Sequence, residues 1–213
     1  YQYTLLYLLH LLDLLVIDKL HITYELFPNN AFTFSTDLES KYQQSCKVWN
    51  SLIEKSPLAI VTANNIEDIS KLICYCQENK IQMTVKGGGH NVAGTCIEDG
   101  AIMLDLSNLR NVELDEKTGW IKVQGGCLWS DVDKFGEPNQ LSVPCGLISH
   151  TGVGGLTLGG GIGWLSRDTG LTIDSLKAVD IVCANGDIIY ADGNTNEDLF
   201  WAIRGGGGNF GVV

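Results

Sequence analysis

The apolar and polar positions of this chain fall into short segments with distinct periods. LAIVTA (58–63) is apolar almost without a break and predicts a buried strand. The stretch after it places Ile66, Ile69, Ile73 and Cys76 at helical spacing, with Asn64 or Asn65 as the N-cap. IQMTV (81–85) and AIMLDLS (101–107) predict two further strands. The order strand, helix, strand, strand is that of a small α/β unit. Beyond it, VELDEKTGWIKVQGG (112–126) predicts a hairpin turning at Glu116–Gly119, and LKAVDIVCANGDIIYA (176–191) a second, with Asn185-Gly186 as the tight turn. LWSDVDKF (128–135) predicts a short helix stopped by Gly136 and Pro138. NEDLFWAIR (196–204) predicts another, capped by Asn194 or Asn196, with acids in its first turn.

The N-terminal part differs. TLLYLLHLLDLLVI (4–17) is leucine-dense, but it is shorter than the roughly 20 apolar residues of a membrane span and contains His10 and Asp13. No basic segment precedes it, so a signal peptide has little support, and cytoplasmic and secreted settings both stay open. Residues 18–40 show no period, so 1–40 reads as a leader. The chain starts at Tyr1 and stops at Val213 directly after a glycine-rich motif, and both ends read as the edges of a fragment.

Composition narrows the function. A net charge of −11 repels a phosphate backbone, which argues against nucleic acid and leaves small-molecule chemistry open. Seven scattered cysteines, with no CxxC pair, read as small buried apolar residues rather than a disulfide framework or a metal site. The 25 glycines are not spread evenly. They gather in KGGGH (86–90), GVGGLTLGGGIG (152–163) and GGGGNFG (205–211), each flanked by sequence with core character. Three such clusters suggest backbone approaching one ligand from several sides, with successive N–H groups suited to a diphosphate and no Cβ in the way of a flat ring. A P-loop is absent, and PCGLISHT before Gly152 is not the strand that a Rossmann dinucleotide site needs, which leaves a nicotinamide site as a weaker reading.

VKGGGHNVAG, GLISHTGVGGLTLGGGIGWLSRDTGLTIDSL and NEDLFWAIRGGGGNFGVV, in this order, resemble the FAD-binding domain of the berberine-bridge-enzyme-like oxidoreductases. These belong to the vanillyl-alcohol-oxidase superfamily with the PCMH-type flavin domain. The resemblance covers about residues 46–213. It implies an α+β fold of two α+β subdomains, about 41–107 and 108–213, with FAD between them. It also implies a C-terminal substrate domain, which would follow Val213 and is absent from the sequence.

The resemblance further implies that the FAD pyrophosphate lies on Lys86, Gly87, Gly88, Gly89 and Asn91, and that His90 is joined to the flavin 8α carbon. Lys86 stands where arginine is more usual. Many relatives add a second link from a cysteine four residues before the glycine of GVGG. That position is Ile148 here, with Cys145 three residues earlier, so a single link through His90 is expected. Thr151, Gly152, Gly154, Gly155, Thr157, Gly160, Gly161 and Gly163 would line the cofactor. Ile181 or Ile188 would sit near its adenine or ribitol end, and Gly208, Asn209 and Val213 would close the site. His150 reads as a plain polar contact or a solvent-facing side chain, and Trp164 and Trp201 as core anchors.

A relative of this kind would pass hydride from a substrate C–H bond to flavin N5, with O2 as acceptor, on a small-molecule substrate. No catalytic base is assigned, because Asp168, Asp174 and Asp180 read as caps or surface positions. A truncated, non-catalytic flavin-binding remnant is the alternative.

Overall fold

The computed structural model describes residues 31–34 and 40–213, so the leucine-dense run lies outside the described residues. Its elements follow the hydrophobic pattern. The strands β1 (Ala31–Phe34), β2 (Ala59–Thr62), β3 (Met83–Lys86) and β4 (Ile102–Asp105) form one sheet in the order β1-β2-β4-β3. β1 runs antiparallel to β2, and β4 runs parallel to both β2 and β3. The helices α1 (Ser40–Ser45) and α2 (Ile66–Asn79) accompany it.

The central strands are apolar on both faces because both faces are covered. Ala59, Val61, Ile102 and Leu104 pack with Ile69, Leu72, Ile73 and Cys76 of α2, while Ile60 and Met103 join Tyr42 and Ile97 on the other side. Asn65 is the N-cap of α2, accepting from the Asp68 amide at 2.8 Å, and Glu67 and Asp68 lie in its first turn. β1 extends the sheet into the stretch expected to be a leader.

Two antiparallel hairpins follow: β5 (Val112–Asp115) with β6 (Trp120–Val123), and β7 (Ala178–Val182) with β8 (Ile188–Asp192). The first turns at the expected place, where Asp115 accepts from the Lys117 amide and the Thr118 hydroxyl. The second is wider than the expected two-residue turn. The Cys183 amide donates to the Asp187 carbonyl and Gly186 to that of Cys183, with Gly186 at φ 84°. This turn docks on α2, where the Ser70 hydroxyl donates to the Gly186 carbonyl at 2.5 Å.

The remaining helices are α3 (Trp129–Asn139), α4 (Val153–Leu158), α5 (Ser166–Thr169) and α6 (Glu197–Gly206), with 3-10 turns at Thr172–Ser175 and Gly207–Asn209. α3 corrects the sequence expectation, because it runs through Gly136 and Pro138. Pro138 lies in the last turn, where it forfeits one backbone bond. Gly136 gives room for the returning chain, since a Cβ there would lie 2.5 Å from the Leu141 carbonyl oxygen. Trp164 and Trp201 are also corrected: they are 84% and 74% exposed and anchor no core. Asn196 caps α6 in the left-handed region, at φ 49°.

Candidate flavin site

β3 delivers the chain from the sheet into the first glycine loop, and the second cluster is brought against it. The Trp129 amide donates to the Thr151 carbonyl at 3.1 Å and the Val153 amide to that of Cys127 at 2.9 Å, which holds residues 151–153 along the start of α3. The outcome is a backbone crossing. A Cβ on Gly88 would lie 2.7 Å from Gly152 Cα, and a Cβ on Gly152 would lie 3.0 Å from Gly88 Cα. Only glycine on both sides permits this approach.

A third segment completes the crossing. The carbonyl oxygen of Gly125 is 3.4 Å from where a Cβ of either Gly87 or Gly154 would be, and a Cβ on Gly125 would run into the Val213 carbonyl. Gly125 was not a candidate from sequence, where it reads as the end of a hairpin. Val213 arrives because Val212 exchanges backbone hydrogen bonds with Val182 of β7 at 2.8 and 2.9 Å.

The crossing presents unused donors. Among the described residues, no N–H from Gly87 to Ala93 finds an acceptor, and neither do those of Gly152, Gly154 and Gly155. Gly88 and Gly152 bring the two loops together, and successive free N–H groups of this kind suit an anion with several oxygens. Thr157 of α4 adds a buried hydroxyl that lacks a hydrogen-bond partner.

His90 follows the first glycine loop, partly buried. Its Nε2 lies 2.6 Å from His150 Nδ1, and its Nδ1 lies 3.4 Å from the Thr151 hydroxyl. The Trp49 ring stacks nearby, with centroids 6.0 Å apart and planes 26° apart. Burial lowers the His90 pKa, and the neighbouring His150 lowers it further, which favours the neutral ring with its lone pair. The strap Ser45–Asn50 fixes the loop. The Trp49 amide donates to the Gly89 carbonyl at 2.9 Å, and the Asn50 side chain to the Val92 carbonyl at 2.8 Å.

Other expected residues are placed differently. The Lys86 ammonium donates to the carbonyls of Ser45 and Lys47, so it clamps the strap instead of facing the free N–H groups. Asn91 is exposed, and its side-chain oxygen lies 3.4 Å from the Thr95 amide. Gly160 and Gly161 have φ of 111° and 79°; a Cβ on Gly161 would meet Thr172, and one on Gly163 the Cys145 carbonyl. These three glycines serve internal packing. Ile181 is fully buried with Leu158, Phe200 and Ile203, whereas Ile188 is exposed beside Val182. Gly208 and Asn209 lie in the turn that packs against α4, with the Asn209 side chain donating through Nδ2 to the Gly206 carbonyl. Ile148 is exposed, and Cys145 is half-buried with its thiol pKa raised by that burial. Of the cysteines, Cys76, Cys96 and Cys127 are buried, while Cys46, Cys74, Cys145 and Cys183 are only partly so.

His150 is the exposed polar contact expected of it, but its partner, His90, lies 60 residues away, which no local pattern reports. Trp49 was missed for the same reason. Among the described residues no group of three or more His, Cys, Asp or Glu could hold a metal ion, and no helix is long and apolar enough to cross a membrane.

Comparison with known proteins gives the family. Residues 57–192 match the FAD binding domain family. An FAD-linked oxidoreductase of Dictyostelium discoideum is 40% identical over 174 residues, which is 81% of this chain and 38% of the relative. 6-Hydroxy-D-nicotine oxidase from Arthrobacter nicotinovorans superposes with a TM-score of 0.82 at 30% identity, over 87% of this chain and 40% of that one. Glucooligosaccharide oxidase from Acremonium strictum, described with a 6-S-cysteinyl, 8α-N1-histidyl FAD, gives a TM-score of 0.81 at 30% identity, over 87% and 39%. The chain thus spans about two-fifths of the length of the relatives it matches. It belongs to the FAD-binding-domain family of FAD-linked oxidoreductases, with the PCMH-type fold of the berberine-bridge-enzyme-like oxidases.

Proposed function

We propose that this chain is the flavin-binding part of an FAD-dependent oxidase that acts on a small molecule, with FAD tethered by a single bond through His90 and with O2 as acceptor. The observation that carries the reading is the Gly88–Gly152 crossing with His90 at its edge. The residues present fit the cofactor. The free N–H groups of the two loops suit the oxygens of a diphosphate, and the Thr157 hydroxyl lacks a partner.

FAD supplies the redox chemistry when bound, accepting a hydride equivalent from substrate. The chain supplies position. The glycine N–H groups would hold the phosphates, the strap from Ser45 to Asn50 fixes the loop, and His90 would provide a nucleophilic nitrogen. A single tether is the simpler case, because Ile148 stands at the position of the second link.

None of the acids near the glycine clusters contacts His90 or His150. Asp174 accepts from the Leu171 amide at 2.8 Å, Asp180 pairs with Lys122 at 3.1 Å, and Asp168 is exposed on the short α5. The isolated 213-residue chain is therefore expected to bind FAD and to turn over little or nothing.

The test is to incubate the purified chain with FAD, precipitate it in acid, and measure flavin absorbance in the pellet and peroxide in solution. Retained flavin that is lost in His90→Ala supports the reading. An acid pellet free of flavin in the parent chain would remove the tether, and vigorous peroxide formation would show that the chain carries its own base.

A further inference from the structure

The contact between the two imidazoles has no part in holding phosphates or ring. His90 Nε2 and His150 Nδ1 are 2.6 Å apart, so one of them carries a hydrogen and donates it to the other. The other nitrogen of His90 has only the Thr151 hydroxyl, at 3.4 Å. The His90 ring thus has one engaged nitrogen and one that is almost free. His150 is held where it is by the same segment that makes the glycine crossing, since the Ser130 amide donates to the Ser149 carbonyl at 2.8 Å and the Thr151 amide to that of Ile148 at 3.1 Å. His150 is itself exposed, so a proton that reaches it can leave to water.

Building on the reading of His90 as the tethering residue, we propose that His150 is a positioning residue for the tethering step: it keeps the His90 hydrogen on Nε2, leaves Nδ1 as the attacking atom, and accepts the Nε2 proton as the bond forms. The step balances. A bond forms between His90 Nδ1 and the flavin 8α carbon, and one C–H bond of that carbon breaks. Its hydrogen leaves as a proton, and the electron pair passes into the flavin ring, which is reduced by two electrons. The Nε2 proton goes to His150 Nδ1 and on to water. Dioxygen then takes the two electrons with two protons and leaves as hydrogen peroxide, so the tethered flavin ends oxidised.

The test follows tethering itself rather than substrate turnover. The whole chain and its His150→Ala variant are incubated with FAD in air. Acid-stable flavin is followed over time, FAD affinity is measured separately, and the linked nitrogen is identified by NMR of the isolated flavin peptide. The parent chain should link through Nδ1. His150→Ala should bind FAD as well as the parent but tether it about 100-fold more slowly, the lower range of what a positioned proton acceptor contributes. Added imidazole should restore part of the rate.

Tethering by His150→Ala at the parental rate and through Nδ1 would overturn the proposal, as would a slow rate that imidazole leaves unchanged. Should His150→Ala fail to bind FAD, His150→Gln keeps an acceptor facing Nε2 and should link through Nδ1; binding without linkage in that variant also overturns it. A parent chain that binds FAD and never tethers it defeats the His90 reading itself, an outcome distinct from a failure confined to the His150 variants.

Discussion

The Gly88–Gly152 crossing and the run from Gly205 to Gly208 use the same residue for opposite reasons. At the crossing neither glycine has a positive φ, and the constraint is space: a Cβ on either would press on the backbone of the other. In the run, a Cβ on Gly205, Gly207 or Gly208 would meet nothing within 4 Å. The constraint there is torsional, with φ of 108° at Gly205 and 57° at Gly207, and Gly208 has neither. The difference teaches that a glycine cluster marks a site only where two segments approach each other. The first tract brings free N–H groups against the second cluster, and the third mainly ends α6 and turns the chain back so that Val212 can pair with Val182.

Alanine substitutions separate the two uses. Gly88→Ala or Gly152→Ala should have the largest effect, about 3 kcal/mol of stability, because backbone rather than a flexible side chain must give way. A lower urea midpoint together with lost FAD binding is the expected result, and an unchanged midpoint would show that the loops do not touch. Gly205→Ala should cost about 1–2 kcal/mol, the penalty of a left-handed torsion for an L side chain in open space. Gly208→Ala should stay within about 0.5 kcal/mol, as befits an exposed position without special torsion. If thermal unfolding found Gly208→Ala as damaging as Gly88→Ala, the distinction between the two tracts would collapse.

Much of this fold was legible because local pattern suffices for it. The apolar runs of β2 and β4, the spacing of Ile69, Ile73 and Cys76, and the Asn65 cap all appear where the sequence places them. β1 was not legible, since four residues, AFTF, are too short to show a period. Pro138 was read as a stop because its cost depends on where in the helix it falls, and the last turn tolerates it. Lys86 shows the limit of reading charge alone: its sign suits a phosphate, but its ammonium is held by two carbonyls of the strap. Trp164 and Trp201 carry no local mark of which way they face. The candidate site was legible as the first two glycine clusters, but the residues that give it chemistry were less so. His150 and Gly125 matter through contacts with segments far away in sequence, and no local period reports those.

The smallest effect concerns the His90 proton, and it turns on the crowding that the crossing imposes and the open run does not. Burial first, and then the neighbouring His150, lower the His90 pKa below its ordinary value of 6.5. The sign follows from linkage. The unfolded chain takes up a proton on His90 near pH 6.5, whereas the folded chain resists it, so this group favours the folded state fully above that pH and loses the contribution as pH falls through the folded value. His150→Ala leaves the burial, the larger cause, in place, so the His90 pKa should stay below 6.5 in the variant as well. NMR titration of the His90 ring in the parent chain and the variant measures this directly. A parental His90 that titrates at or above 6.5 would mean that the crossing leaves its imidazole as well solvated as a residue in the open run, and the comparison between the two tracts would then rest on sterics alone.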